Sequence, residues 1–479
     1  MGDGRLDEVR QDHGDGIGDD GIGDGRGHAV VVGGSLAGLL AAVALARHAG
    51  RVTMVERDRY PDRPEPRKGV PQSRHTHLLL ESGLLAIERF LPGLEAELVA
   101  AGALQVRSPT DYLQHMRGRW FGRGPASSTT LCLTRPLLEH GVRTRVLAHP
   151  RITALQGTDV VGLTGTAERV TGVLLRERGG ERAGAEPSQL PTTLPTTLAA
   201  DLVVDASGRS SHTPEWLERL GVARPAEDRV ESGIGYTTRV YRDGTDGALT
   251  DARLVYLVGE TMGAVIVPVE PAGTHMVTFA TPRGEALPTA PGAFEALADR
   301  QPHPLVRQWI DEAEPVSPVY GYLRTENVRR AYDRTVPEGL LVTGDALCAL
   351  NPVFGQGMST AALAAVALDE SVAAGSSNRR TQAALLAASG HAWAISAGAD
   401  KARPGVTGNA ANQSLRDRFT GWYLARVQER CGVNPEVQAT FRQVLALMAP
   451  PTELFRPAVL RSVLFEKGAP ADAAPPLRL

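Results

Sequence analysis

The sequence predicts an α/β fold: a parallel, Rossmann-like sheet drawn from separated segments, an inserted antiparallel β-sheet, and a helical C-terminal tail. Three observations predict it. Residues 28–56 read as strand, glycine turn, helix and second strand. Two later apolar strands, at 200–205 and 340–345, also run into an acid. Elsewhere the pattern changes, to short β-rich stretches over 230–282 and to helical periodicity beyond Asp400.

The bulk numbers bound the answer. A chain of 479 residues can bury a sizeable core and form two or three structural units. Its 42% hydrophobic and 22% charged residues are those of an ordinary globular protein. A formal net charge of -3 argues against a general nucleic-acid binder, whose basic excess would be plain in the composition. Nearly all the basic residues are Arg, which a GC-rich coding bias explains as well as any function. Cys132, Cys348 and Cys431 are far apart, odd in number and without metal-type spacing, so neither a disulfide framework nor a zinc site is expected. The expectation is a reduced, cytoplasmic protein. Residues 1–27 are Gly and Asp with few apolar groups, expected as a disordered leader without the basic n-region of a secretory signal.

The stretch HAVVVGGSLAGLLAAVALARHAG, residues 28–50, admits three readings. A membrane anchor needs roughly 20 continuous apolar residues in one helix. Here Gly33, Gly34 and Ser35 interrupt the run after β-branched Val30–Val32, which favours a buried strand, a tight turn and a helix. A hydrolase elbow needs G-x-S-x-G, but Ala37 holds the last position and no fitting Asp and His follow in order. The third reading is a dinucleotide turn. Gly33 permits the turn, Gly38 lets the helix pack on the strand, and Leu36 and Ala37 carry the first helical amides toward a pyrophosphate. Ser35 stands where the middle glycine belongs, as a small residue whose hydroxyl can donate to phosphate. The next strand, RVTMVERD, ends in Glu56, at the distance expected for a ribose-binding carboxylate.

Residues 340–365, LLVTGDALCALNPVFGQGMSTAALAA, repeat the theme. Asp345 follows a strand and is placed to bond a ribityl hydroxyl. A loop with Asn351, Pro352, Gly355 and Gly357 leads into an Ala-rich helix, whose first amides, near Gly357 and Met358, would point at a flavin ring and stabilise its anionic reduced form. In ADLVVDASGRSS, residues 200–211, Asp205 closes another apolar strand.

In order and spacing, these three segments resemble the fingerprints of FAD-dependent aromatic-hydroxylase-type monooxygenases, over most of residues 28–400. RKGVPQSRHTHLLLESGLLAIERFLPGL, residues 67–94, resembles a segment of actinobacterial flavin monooxygenases, including epoxidases of polyene precursors of polyether ionophores. TRPLLEHGVRTRV, residues 134–146, resembles that group's helix whose arginine lies along the FAD. Ser35 and Gln356 depart from the pattern, and Gln356 leaves the particular substrate open. The resemblance implies Glu56 on the adenosine ribose, Arg57 flanking adenine, and Arg67, Val70 and Gln72 on the flavin side of their loop. It implies Arg135 beside the pyrophosphate, Asp205 supporting the FAD fold, and Asp345 on ribityl or ribose oxygens. His75 and His77 either face the active site or form a buried, hydrogen-bonded pair holding a helix start.

The resemblance also implies a discontinuous FAD-binding domain of the hydroxylase type, over residues 28–105, 126–213 and 336–400. A substrate domain takes 106–125 and 214–335, and a helical region takes 401–479. Residues 183–200, with a short LPTT repeat, read as a hairpin-tip insertion. The β-rich stretches form an antiparallel sheet roofing a cavity, with Tyr236, Tyr241 and Tyr256 as candidate lining residues or core packers. The tail is read as closing one cavity wall or forming a dimer surface.

The implied chemistry is monooxygenation, epoxidation or hydroxylation of a hydrophobic natural product such as a polyketide or antibiotic precursor. NAD(P)H, as a transient reductant, reduces the flavin, O2 adds at C4a, and the resulting hydroperoxide delivers one oxygen atom. No catalytic side chain and no metal are assigned, and neither nucleic acid nor stable membrane insertion is expected. Halogenases of this fold use a catalytic Lys and a Trp pair, whereas this chain has only Lys68, Lys401 and Lys467 and no such pair. Two other classes remain open: a flavin-dependent reductase of an isoprenoid-like chain, and a non-redox cyclase with FAD as a structural cofactor.

Overall fold

A computed structural model describes residues 27–178, 195–244, 253–259 and 262–466. The Gly/Asp leader up to residue 26 and residues 179–194, with the first copy of the LPTT repeat, lie outside the described residues. The strands on either side of that segment, Val170–Glu177 and Thr196–Ala199, pair antiparallel.

The central sheet has five parallel strands in the order Leu340–Val342, Leu202–Asp205, His28–Val32, Arg51–Glu56, Ile152–Gln156. Its inner strands are buried along almost their whole length, which is why they read as continuous apolar runs rather than alternating ones. The opening stretch is therefore strand and helix, with the helix spanning only Leu36–Leu45. Among the described residues no helix is long and apolar enough to cross a membrane. Every residue of helix Leu36–Leu45 but Ala37 is buried, because the sheet lies on one side and helix Gly357–Ala373 on the other. The parallel register sets the ends of the strands carrying Glu56 and Asp205, and the turn leading to Asp345, along one edge of the sheet.

A second, eight-stranded sheet stands apart from the first. It is antiparallel except where Tyr112–Met116 joins Leu254–Val258 in parallel. Its two faces follow the strand period of two. Val255, Leu257, Val277 and Phe279 pack into a core closed by Phe294, Trp309 and their helices. Leu254, Tyr256, Thr278 and Ala280 face the other way, into a cavity. The C-terminal helices Leu415–Cys431, Pro435–Leu445 and Pro457–Phe465 build a third core of Tyr423, Val427, Phe441 and Val459 against Met116 and Phe121.

Trp309 is 1% exposed behind the second sheet, where it meets Tyr241 and His275 edge-on. Trp309→Ala is expected to cost about 3–5 kcal/mol through lost burial and a residual cavity, read from urea denaturation midpoints.

Candidate functional site

The glycine turn is shaped by close contact. Gly33 has φ +97°, and a Cβ there would lie 2.7 Å from Ala206 O. A Cβ on Gly38 would collide with Gly33 O, so only glycine lets the helix start this near the strand. Ser35 is the N-cap in extended conformation, yet its side chain caps no helix amide. The amides of the first turn, from Leu36 to Gly38, thus lack a side-chain acceptor and suit an anion. The Ser35 hydroxyl does not have the role expected of it. It donates to Glu139 Oε2 at 3.0 Å and accepts from Arg135 Nη2 at 2.9 Å, which commits its only proton inside the protein. Ala37 touches the Gly344 turn, bringing Asp345 beside the helix start.

Beneath the turn lies a buried web of charge. Arg67 Nε donates to Glu139 Oε1 at 2.7 Å, and its Nη1 lies 2.9 Å from Asp58 Oδ2 and 3.2 Å from Glu56 Oε1. Glu56 Oε2 accepts from the Gly34 amide at 2.7 Å, and Oε1 accepts from the Asp58 amide at 2.8 Å. Tyr60 donates to Gly34 O at 3.0 Å, with the guanidinium groups of Arg67 and Arg143 over its ring. Burial works against ionisation of Glu139, but Arg135 and Arg67 hold its carboxyl below the usual range. Burial likewise lowers the pKa of Arg135, against the attraction of Glu139. Arg135 Nε has no acceptor. Asp58, Tyr60 and Glu139 were missed in the sequence. Glu139 had a signal, since it follows Arg135 by four residues on one helix and so shares its face.

The three acids at the sheet edge differ in what they leave free. Asp205 is buried and pins the following loop, accepting from Ser207 N, Ser211 Oγ and Thr213 Oγ1. Glu56 is equally enclosed, its side chain 5% exposed, whereas the Asp345 side chain is 36% exposed and meets Arg209 Nε at 3.4 Å. Arg57 is exposed at the strand end, Val70 is buried, and Gln72 is half-buried on the short turn Pro71–Arg74.

The loop 351–357 is anchored from behind. Asn351 and Asn327 both donate to Asp400 Oδ2 at 2.8 Å, while Asn327 Oδ1 accepts from Asn351 N and Ser396 Oγ. Burial raises the Asp400 carboxyl above its ordinary pKa. This cluster has no local motif, because its members come from three distant segments. Gly357 opens a helix with no side-chain cap, Met358 turns its side chain into the core, and Pro352, Gly355 and Gln356 line the cavity.

That cavity measures about 250 Å³. One wall is the second sheet, with Tyr236 and Tyr256; another is the loop 352–356; a third is the tail, with Arg442, Leu445 and Ala446. The tail is therefore a cavity wall. Tyr241 does not line it. Five residues from Tyr236, it points to the opposite face, packs on Trp309 and donates to Glu295 Oε1. His75 bonds Thr238 Oγ1 through Nδ1, and His77 Nδ1 donates to His75 O, so the pair ties its loop to the sheet. Burial lowers the pKa of His75 to about 4 and that of His77 to about 3.

Uncapped amides beside glycines that have no room for a Cβ, an orphaned buried Arg135 Nε and a partly exposed Asp345 fit a dinucleotide with a pyrophosphate and hydroxyls. A family model described as FAD binding domain matches residues 27–399, and the chain belongs to that family. FAD is its cofactor. Protein Rv3254 of Mycobacterium tuberculosis (strain ATCC 25618 / H37Rv) is 32% identical over 360 residues, 72% of each chain. Among solved structures, the flavin-dependent brominase Bmp2 matches with a TM-score of 0.63 at 19% identity, covering 92% of this chain and 98% of its own. The p-nitrophenol 4-monooxygenase PnpA from Pseudomonas putida DLL-E4 matches with a TM-score of 0.60 at 17% identity, covering 88% and 97%. At such identities the structural likeness speaks for the fold, that of the aromatic-hydroxylase type.

Arg135→Met removes the cation that meets the turn, and FAD affinity is expected to fall about ten- to a hundredfold, measured by equilibrium dialysis of the flavin. Stability has its own pH signature. His75 takes a proton at pH 6.5 when unfolded but only near pH 4 when folded. Its neutral form therefore supports the fold fully above pH 6.5, and stability drops as pH falls from there toward 4. Denaturant midpoints at pH 7.5 and pH 5 are expected to show a smaller drop for His75→Gln than for the parent.

Proposed function

We propose that this member of the FAD binding domain family is an FAD-dependent monooxygenase that places one oxygen atom of O2 into a hydrophobic small molecule, with NAD(P)H as a transient reductant. The observation that carries the reading is the shared wall. The loop 352–356, which leads into the uncapped helix Gly357–Ala373, is itself part of the lining of an otherwise largely apolar cavity. On this reading the FAD-binding domain comprises residues 28–105, 126–213 and 336–400, the substrate domain 106–125 and 214–335, and the region from 401 on completes the chamber.

Bound FAD supplies the activated oxygen, and the chain's own residues bind, orient and exclude water. The turn amides with Arg135 would hold the pyrophosphate, and Asp345 a sugar hydroxyl. The helix N-terminus at Gly357 would favour negative charge on a flavin ring held beside it. Leu78, Leu254, Tyr256 and Ile395 exclude water and press the substrate toward the loop. His75 and His77 stay neutral near pH 7 and so act as positioning residues for the loop. An alkene in this chamber would be epoxidised and an electron-rich ring hydroxylated. An alkene-bearing polyketide is the substrate class the sequence resemblance favours. The lining includes arginines and no lysine among the described residues, which supports oxygenation over halogenation.

The test is turnover of the purified yellow protein with NADPH or NADH under 18O2, against a panel of apolar alkenes and phenols. One 18O atom per product and one nicotinamide oxidised per turnover is the expected result. Product formed without O2 would make the protein a reductase, and product formed without nicotinamide a cyclase. Asp345→Ala is expected to lose flavin on purification, and full FAD occupancy in that variant would contradict its assignment.

A further inference from the structure

We propose that Arg442 is an anion-binding residue of the cavity, and that the substrate is an apolar molecule carrying a carboxylate. This rests on the cavity being the substrate chamber. Arg442 lies on helix Pro435–Leu445, beyond the residues 27–399 that match the family. It is 5% exposed and belongs to the cavity lining. Its Nη1 donates to Ser108 Oγ, and its guanidinium lies 4.8 Å from the ring centre of Tyr112 and 5.8 Å from that of Phe121. Nε and Nη2, the two donors along one edge of the guanidinium plane, have no acceptor.

Most other buried arginines of the described residues sit against a carboxylate, and the exception, Arg143, gives its Nη2 to Pro61 O and His140 Nδ1. Arg67 meets Glu56, Asp58 and Glu139; Arg135 meets Glu139; Arg330 meets Glu227; Arg430 meets Glu466. Arg403, the second arginine of the lining, faces Asp400 at 3.6 Å. Arg442 has no carboxylate partner among the described residues. A buried cation without a counter-charge is costly, and two stacked rings offset that cost only in part. Burial lowers its pKa to about 10, so it remains charged at neutral pH. The pair of donors on one edge matches the two oxygens of a carboxylate, which would supply both the missing charge and the missing acceptors. Gln356 on the flavin-side loop donates to Leu445 O, so the helix that would hold the acid also touches the loop, and anchoring one end there would fix which part of the substrate meets the flavin.

The experiment titrates the FAD-loaded full chain with 2-naphthoate and with its neutral isostere 2-naphthamide by calorimetry at pH 7.5. The naphthoate is expected to bind at least about tenfold more tightly, and Arg442→Met to bring the ratio near one with FAD content unchanged. Arg442→Lys, which keeps the charge without the fork, is expected to retain part of the preference. Equal affinities in the parent protein, no naphthoate binding, or an unchanged ratio in Arg442→Met would overturn the proposal. Should Arg442→Met fail to fold, the parent ratio and Arg442→Lys decide it. The titration needs no turnover, so the two readings fail separately. A carboxylate preference without oxygenation sinks the monooxygenase assignment alone, and oxygenation without that preference sinks the anion site alone.

Discussion

The structure depends on two buried arginines held beneath a glycine turn by three carboxylates. Arg67 and Arg135 share Glu139, and Arg67 also reaches Glu56 and Asp58. Such a web is weak evidence for stability, because desolvating each ion costs several kcal/mol that its partners only offset. Its effect is geometric. Glu56 holds the Gly34 amide, Arg67 and Tyr60 approach Gly34 O, and Arg135 is pinned through Ser35. The turn is thereby fixed before any anion arrives, leaving helix amides and one cation N–H, that of Arg135 Nε, without protein acceptors. Replacing the middle glycine by serine is compatible with this, since the hydroxyl becomes a strut between Arg135 and Glu139.

The chamber obeys a different constraint. Its walls come from the eight-stranded sheet, a small sheet of Leu78–Leu80, Leu104–Ser108 and Ser128–Cys132, a loop and the tail, so no single segment has an apolar face large enough to announce it. The eight-stranded sheet makes one wall by alternation alone, with Val255 and Leu257 turned to the core behind it and Leu254 and Tyr256 to the cavity. The loop 352–356 is stiffened on the far side by Asn351, Asn327, Ser396 and Asp400, a fully hydrogen-bonded group save for one Asp400 oxygen. Rigid backing on one side and an apolar space on the other is what a site needs to hold a ring and a greasy substrate in register.

Much of this was legible along the chain. The strand–turn–helix at 28–45, the parallel strands running toward Glu56, Asp205 and Asp345, and the change to short alternating strands each follow from local pattern and turn chemistry. The functional distinction among the acids was not legible. All three sit at or just past a strand end, yet Asp205 serves its own loop, Glu56 serves the turn, and only Asp345 keeps its side chain partly exposed. Tyr241 was readable, since its odd offset of five positions from Tyr236 along one strand places it on the other face. Asn327, Asp400 and Arg442 were not, because their meaning lies in partners far away in sequence.

The sequence by itself determined the parallel sheet, the glycine turn and the helix that follows it, because strand burial, left-handed glycine and helix-end chemistry act over a few neighbouring residues. Tertiary structure alone decided which carboxylates are consumed by protein, what closes the chamber, and that a tail arginine ends there without a counter-charge among the described residues. Those outcomes turn on desolvation and pairing between segments tens to hundreds of residues apart. Residue order carries no local trace of such distances.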